Sequence, residues 1–190
     1  TGSIVVSKAA ADGYAIDTSA ALAMSAPNDI TVTGRIQALD GASMYAEDNV
    51  LLDGGSLKSD SDISISTRTG SHIDGTKSIV VKAATADEYA IFTNKKLSMS
   101  ANNDITVAGR IKALSYLTLS AGDINVSKAA ADGYAIDTAS GLRMRARKDI
   151  TVIGRIQALG GSLNLDAGDN VLLNGGSLAS TYANHIYAGG

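Results

Sequence analysis

The 190-residue sequence predicts an all-β fold, a parallel β-helix (β-solenoid) of about eight three-strand coils, and three observations carry that prediction. Pairs of apolar residues separated by one position recur at short intervals along the chain. Glycines divide short runs in which apolar and polar side chains alternate. Large aromatics are scarce, with seven Tyr, one Phe and no Trp. A thick globular core usually draws on such rings, whereas Ile, Val, Leu, Met and Ala suit the narrow interior of a coil.

The repeat emerges from one string. DITVTGRIQAL at 29–39 returns as DITVAGRIKAL at 104–114 and DITVIGRIQAL at 149–159, at intervals of 75 and 45 residues that no single repeat length explains. Aligning on the apolar pair extends the series to Ile4/Val6, Ile30/Val32, Val50/Leu52, Ile79/Val81, Ile105/Val107, Ile124/Val126, Ile150/Val152 and Val171/Leu173. The steps are 26, 20, 29, 26, 19, 26 and 21 residues, so narrow coils near 20 alternate irregularly with coils widened to 26–29. A unit this short cannot bury its own apolar face; stacking on neighbours does it. The whole of 1–190 therefore reads as one solenoid domain, roughly 40 Å long at the spacing of paired strands.

Each narrow coil resolves into three strands. In the second coil these are Ile30-Thr31-Val32, Ile36-Gln37-Ala38 and Met44-Tyr45-Ala46, with Gly34 and Gly41 at the bends. Period-two alternation marks strands because successive side chains leave opposite faces. The Ala-rich stretch 9–26 invites a helix instead, but comparison of copies argues against one. LAMSA at 22–26, LSMSA at 97–101 and LRMRA at 142–146 keep apolar residues at the first, third and fifth places, while the second and fourth drift to Arg. That period is two.

Wide coils carry insertions: SKAAADGYAIDT at 7–18, its identical copy at 127–138, and KAATADEYAIFT at 82–93. They follow coils one, four and six and are expected to leave one side of the rod. A fourth, very polar excursion is expected at 58–77. The sequence opens at Thr1 and has no recognisable signal peptide, so it is expected to be an excerpt or a processed form of a longer fibre.

The stretches LRMRARKDITVIGRIQALGGSLNLDAGDNVLLNGGSLAS (142–180) and LTLSAGDINV (117–126) resemble haemagglutinin-type repeats, those of filamentous haemagglutinin and other two-partner-secretion exoproteins, including stalks of contact-dependent inhibition toxins. The resemblance covers about two thirds of the chain; the KAAADGYAIDT insertions lie outside its common pattern. It implies a right-handed, three-sided β-helix, secreted or displayed on the outer-membrane surface of a bacterium.

Composition narrows the function classes. A net charge of −3 gives no general attraction for nucleic acid or anionic membranes, and no apolar run is long enough for a membrane-spanning helix. Absence of Cys excludes disulfides and thiolate chemistry. The two histidines, His72 and His185, lack spaced partners for a metal, and Ser71-His72-Asp74 is too local for a triad. Asp60 and Asp62 offer oxygens but no calcium-loop spacing. No catalytic residue, metal or cofactor is expected.

Contact with a ligand is expected, if anywhere, on the insertions and the neighbouring arginines. Tyr14, Tyr89 and Tyr134 recur at the ends of the insertions, two residues after Asp12, Asp87 and Asp132. Aromatics beside carboxylates suit carbohydrate; equally, each Tyr can close the coil where the insertion opens it. Arg35, Arg110 and Arg155 share one place in the repeated string, with Arg143, Arg145, Arg147 and Lys148 forming a local basic cluster. Such a stripe suits a sulfated glycan, or keeps the surface soluble and discourages lateral association.

Three functions are compatible with a parallel β-helix. A structural or adhesive segment, meeting surface glycans or host-cell receptors, fits best. A β-helical polysaccharide-processing enzyme is the alternative, but it gathers its carboxylates on one face, and here they fall at coil corners. An ice-binding solenoid needs a regular Thr array, and Thr31, Thr106 and Thr151 are too sparse. Uncapped outer coils are also expected to favour end-to-end self-association.

Overall fold

The computed structural model describes residues 2–9, 13–68, 77–85, 87–127 and 133–189. They form twenty-four short strands in three parallel eight-stranded sheets and no helix. Successive strands go to the first, second and third sheet in turn, so each set of three is one coil. The eight coils begin at Ile4, Ile30, Val50, Ile79, Asp104, Asp123, Ile150 and Val171. Every apolar pair used to find the repeat lies in the first sheet, paired with its neighbours without a slip.

Register follows from burial, because a shift of one residue would turn every inward side chain to solvent. Ile4, Ile30, Val50, Ile79, Ile105, Ile124, Ile150 and Val171 stack as one inner column, and the six central members are fully buried. In the third sheet Met24, Met44, Ile65, Met99, Leu119, Met144, Leu165 and Ile186 do the same. Thr31, Arg35 and Gln37 leave outward while Ile30, Val32, Ile36 and Ala38 are buried, as their alternation requires.

One inner column of the second sheet carries hydroxyls among alanines. Thr93 and Thr138 are fully buried, and each is satisfied in both directions. Thr93 Oγ1 donates to Ser61 O of the coil below and accepts from Lys95 N–H at 3.0 Å. Thr138 Oγ1 repeats this with Ser115 O and Ser140 N–H. Both sit in wide coils, where the chain returns from its insertion.

The structure corrects the extent of the excursions. Within the polar stretch 58–77, residues 58–67 belong to regular coil, since Ser56–Ser59 and Ile63–Thr67 are strands of the second and third sheets, while 69–76 lie outside the described residues. Ile63 and Ile65 point inward at period two, and the surrounding Ser and Asp are only the outward face and the corner. Likewise Ile16–Thr18, Ile91–Thr93 and Ile136–Thr138 are strands, so each insertion ends at the Ala before them.

Candidate ligand-binding groove

All three insertions leave the corner between the first and second sheets, and all close in the same way. Ala15 N–H donates to Arg35 O at 2.8 Å, Ala90 N–H to Arg110 O at 2.8 Å, and Ala135 N–H to Arg155 O at 2.8 Å. From the other side Gly34, Gly109 and Gly154 donate to Val6, Val81 and Val126 O at 3.0, 2.9 and 3.1 Å. The neck of each insertion is thus pinned to the next coil. No side chain fits there: a Cβ on Gly34 would lie 2.3 Å from Ser7 O and 2.8 Å from Ala15 Cβ, and Gly109 and Gly154 meet the equivalent atoms as closely. The glycine of DITVxGRI is the residue that lets a narrow coil sit on a wide one. Coils two, five and seven are the three that do so, which is why the string recurs at unequal spacing.

The arginine after that glycine covers the tyrosine of the insertion below. Arg35, Arg110 and Arg155 place Cζ 4.4, 4.7 and 4.6 Å from the ring centres of Tyr14, Tyr89 and Tyr134. Cation–π attraction of about 0.5–1 kcal/mol per pair holds at such partly exposed sites. The six residues named as one stripe and one aromatic row are therefore three couples, each with one ring face occupied. Asp12 and Asp132 lie outside the described residues, as do Ser71, His72 and Asp74.

Asp87 builds a clasp. Its Oδ1 and Oδ2 receive Arg35 Nη2 and Nε, both at 3.0 Å, and Ser56 Oγ also donates to Oδ2. The side chains of the pair are 26% and 27% exposed, sheltered enough for a bidentate ion pair to count. The insertion of coil four thereby reaches back across coil three to coil two. Thr85 N–H and Oγ1 fasten it further to Gly54 O at 3.0 and 2.9 Å.

Coils two and three, which carry no insertion at this corner, separate the first insertion from the second, and a groove of about 270 Å³ lies between them. Tyr14 stands on one side, Tyr89 and Phe92 on the other, with Lys58 between and Asp87 and Glu88 at the rim. Tyr89 and Phe92 are tilted by 49° at 6.0 Å. Glu88 is held by Arg110 at 2.7 Å. Only one narrow coil separates the second insertion from the third, and there Gly133 closes down on the Arg110 guanidinium, so that gap is filled. A larger depression of about 810 Å³ over the third sheet includes Leu165 and Ile186, so it is in part the uncovered core of coil eight.

Most of the remaining candidates, Arg143 excepted, have structural partners. Asp60 Oδ1 accepts from Asn94 Nδ2 at 2.8 Å and Asp62 Oδ1 from Lys96 N–H at 3.0 Å, tying coil three to coil four. Asp29 and Asp149 each accept from the backbone and side-chain amides of the Asn one coil above. In the basic cluster Arg145 pairs with Asp166 at 3.1 Å, Lys148 stands 3.9 Å from Asp123, and Arg147 donates to Asn102 O. Among the described residues no group of three or more potential metal ligands is assembled. The clasp and the groove eluded sequence reasoning, because Arg35 and Asp87 are 52 residues apart and meet only through the coil count.

Comparison with family models, with curated proteins and with solved structures returns no match for this chain.

Proposed function

We propose that the chain is a rigid rod segment of a large bacterial surface or secreted filamentous protein, and that it contacts glycans through the groove between its first two insertions. The observation that carries this reading is the groove itself. Aromatic edges from Tyr14, Tyr89 and Phe92 face charged hydrogen-bonding groups across a gap two coils wide, and the wall is fixed by the Arg35–Asp87 clasp. Carbohydrate recognition uses that pairing: apolar sugar faces rest on rings while hydroxyls meet carboxylate and ammonium groups. The resemblance to haemagglutinin-type repeats supports an extracellular, adhesive setting.

Enzymatic processing of a polysaccharide is the less favoured reading. Asp87 has both oxygens engaged by Arg35 and Ser56 and is poorly placed to exchange a proton. A glycan array probed with the whole chain tests the proposal. Binding that Tyr89→Ala weakens at least ten-fold, with an unchanged circular dichroism spectrum, is expected. Failure to bind any glycan, or binding indifferent to that change, overturns the glycan reading; release of shortened or unsaturated fragments from an acidic polysaccharide overturns the non-enzymatic one.

A further inference from the structure

We propose that the sugar unit taken by the groove is acidic: one ring with a single anionic substituent that meets the Lys58 ammonium. The inference rests on the glycan reading and narrows it. The position that carries it is Phe92. The insertions end YAIDT at 14–18 and 134–138 but YAIFT at 89–93. Phe92 therefore stands where the other two copies have Asp17 and Asp137.

These positions belong to one outward column of the second sheet. From coil one to coil six it runs Asp17, Gln37, Lys58, Phe92, Lys112 and Asp137. Each Asp is answered from the coil above, where Gln37 Nε2 donates to Asp17 Oδ1 at 3.3 Å and Gln157 Nε2 to Asp137 Oδ1 at 3.2 Å. Asp137 also receives Lys112 from below, at 3.5 Å. An Asp at position 92 would stand between Lys58 and Lys112 and offer its charge to both. The ring offers none. Lys112 turns to Asp137 and to Tyr89, whose ring centre is 5.5 Å from its Nζ. Lys58 is left half-buried, and among the described residues no carboxylate pairs with it.

This departure from the other copies falls in the groove, which both Lys58 and Phe92 line. The rim carboxylates do not serve Lys58, because Arg35 and Ser56 hold Asp87 and Arg110 holds Glu88. Among the described residues the groove thus carries one uncompensated charge, and it is positive in a chain of net charge −3. A half-buried ammonium attracts an anion more strongly than an exposed one, since salt screens it less. Phe92, one coil above, gives the apolar face of the same sugar a ring to rest on. Size and rim then limit the ligand. The groove's volume is just under the roughly 300–1,000 Å³ of pockets that enclose drug-sized ligands, so a single ring fills it. Asp87 and Glu88 oppose a chain charged at every unit, which leaves one anionic group as the match.

Trisaccharides with one neutral core, capped by glucuronate, by glucose 6-sulfate or by glucose, test this by calorimetric titration into the whole chain. At least one acidic cap should bind about ten-fold more tightly than the glucose cap, the gain of one charge-assisted hydrogen bond. Comparison of the two acidic caps assigns the group as carboxylate or sulfate ester. Lys58→Met keeps the stem, removes the charge and should bring the caps level, whereas Lys58→Arg should keep their order. Phe92→Asp restores the residue of the other two copies, so it should pair Lys58 internally and abolish the preference with the circular dichroism spectrum unchanged. A glucose cap bound as tightly as the acidic ones, with all weakened by Tyr89→Ala, overturns this inference and leaves a neutral-sugar groove. A preference for acid that survives Lys58→Met overturns it too. Binding of no cap and of no arrayed glycan overturns the glycan reading itself, and this inference with it.

Discussion

At the scale of single residues, the glycine of DITVxGRI and the buried threonines make the sharpest demands. Gly154→Ala forces a Cβ to 2.4 Å from Ser127 O, a backbone atom that cannot swing aside. A loss of about 1–3 kcal/mol of unfolding free energy is expected, as for other overpacked sites. Gly175→Ala meets no atom and is limited to the left-handed backbone penalty, about 1–2 kcal/mol. Chemical denaturation of the two variants, with Gly34→Ala as a second copy of the first site, separates packing from backbone strain. Thr138→Val keeps shape but removes the hydroxyl that serves Ser115 O and Ser140 N–H. Leaving those groups unpaired should cost about 1–3 kcal/mol in the same measurement, against near neutrality for the outward-facing Thr118→Val.

At the scale of elements, the insertions behave as straps fastened to the coils beside them. Asp87→Asn removes the bidentate partner of Arg35 and should cost about 1–2 kcal/mol, while hydrogen exchange over 82–90 speeds up and that of the strands Ile79–Val81 and Ile91–Thr93 does not. Equal acceleration throughout coil four would show that the clasp holds the coil rather than the strap. The strands themselves were legible in the sequence, because inward Ile, Val, Leu and Met alternate with outward Thr, Ser and Arg and the copies can be compared internally. The polar stretch around Ile63 and Ile65 misled for the converse reason: two inward residues among many Ser and Asp look like a loop until the coil below supplies their register. The couples of Arg35 with Tyr14, Arg110 with Tyr89 and Arg155 with Tyr134 were visible only as two separate recurrences. Their meeting depends on each string following a wide coil, a relation between coils that period-two reasoning within a strand does not contain.

At the scale of the whole molecule, stability grows coil by coil, each contributing its own core residues and its interface with two neighbours. Position in the stack should therefore govern the cost of one and the same change. Ile105→Ala, fully buried in coil five, is expected to cost about 2–5 kcal/mol. Ile186→Ala in coil eight, half-exposed, should cost well under that in dilute solution. The eight-coil stack is the claim on which the groove and the clasp both depend. Spin labels on outward cysteines of this Cys-free chain test it most directly. Thr31 and Thr106 are three coils apart and 75 residues apart; Thr106 and Leu172 are also three coils apart, but 66 residues apart. Thr31 and Thr151 are five coils apart. Pulsed dipolar spectroscopy should give backbone separations near 14 Å for both of the first two pairs and roughly 24 Å for the third, at about 4.8 Å per coil. Unequal distances for the two three-coil pairs, or a third distance that is not larger by two coil steps, would contradict the stack.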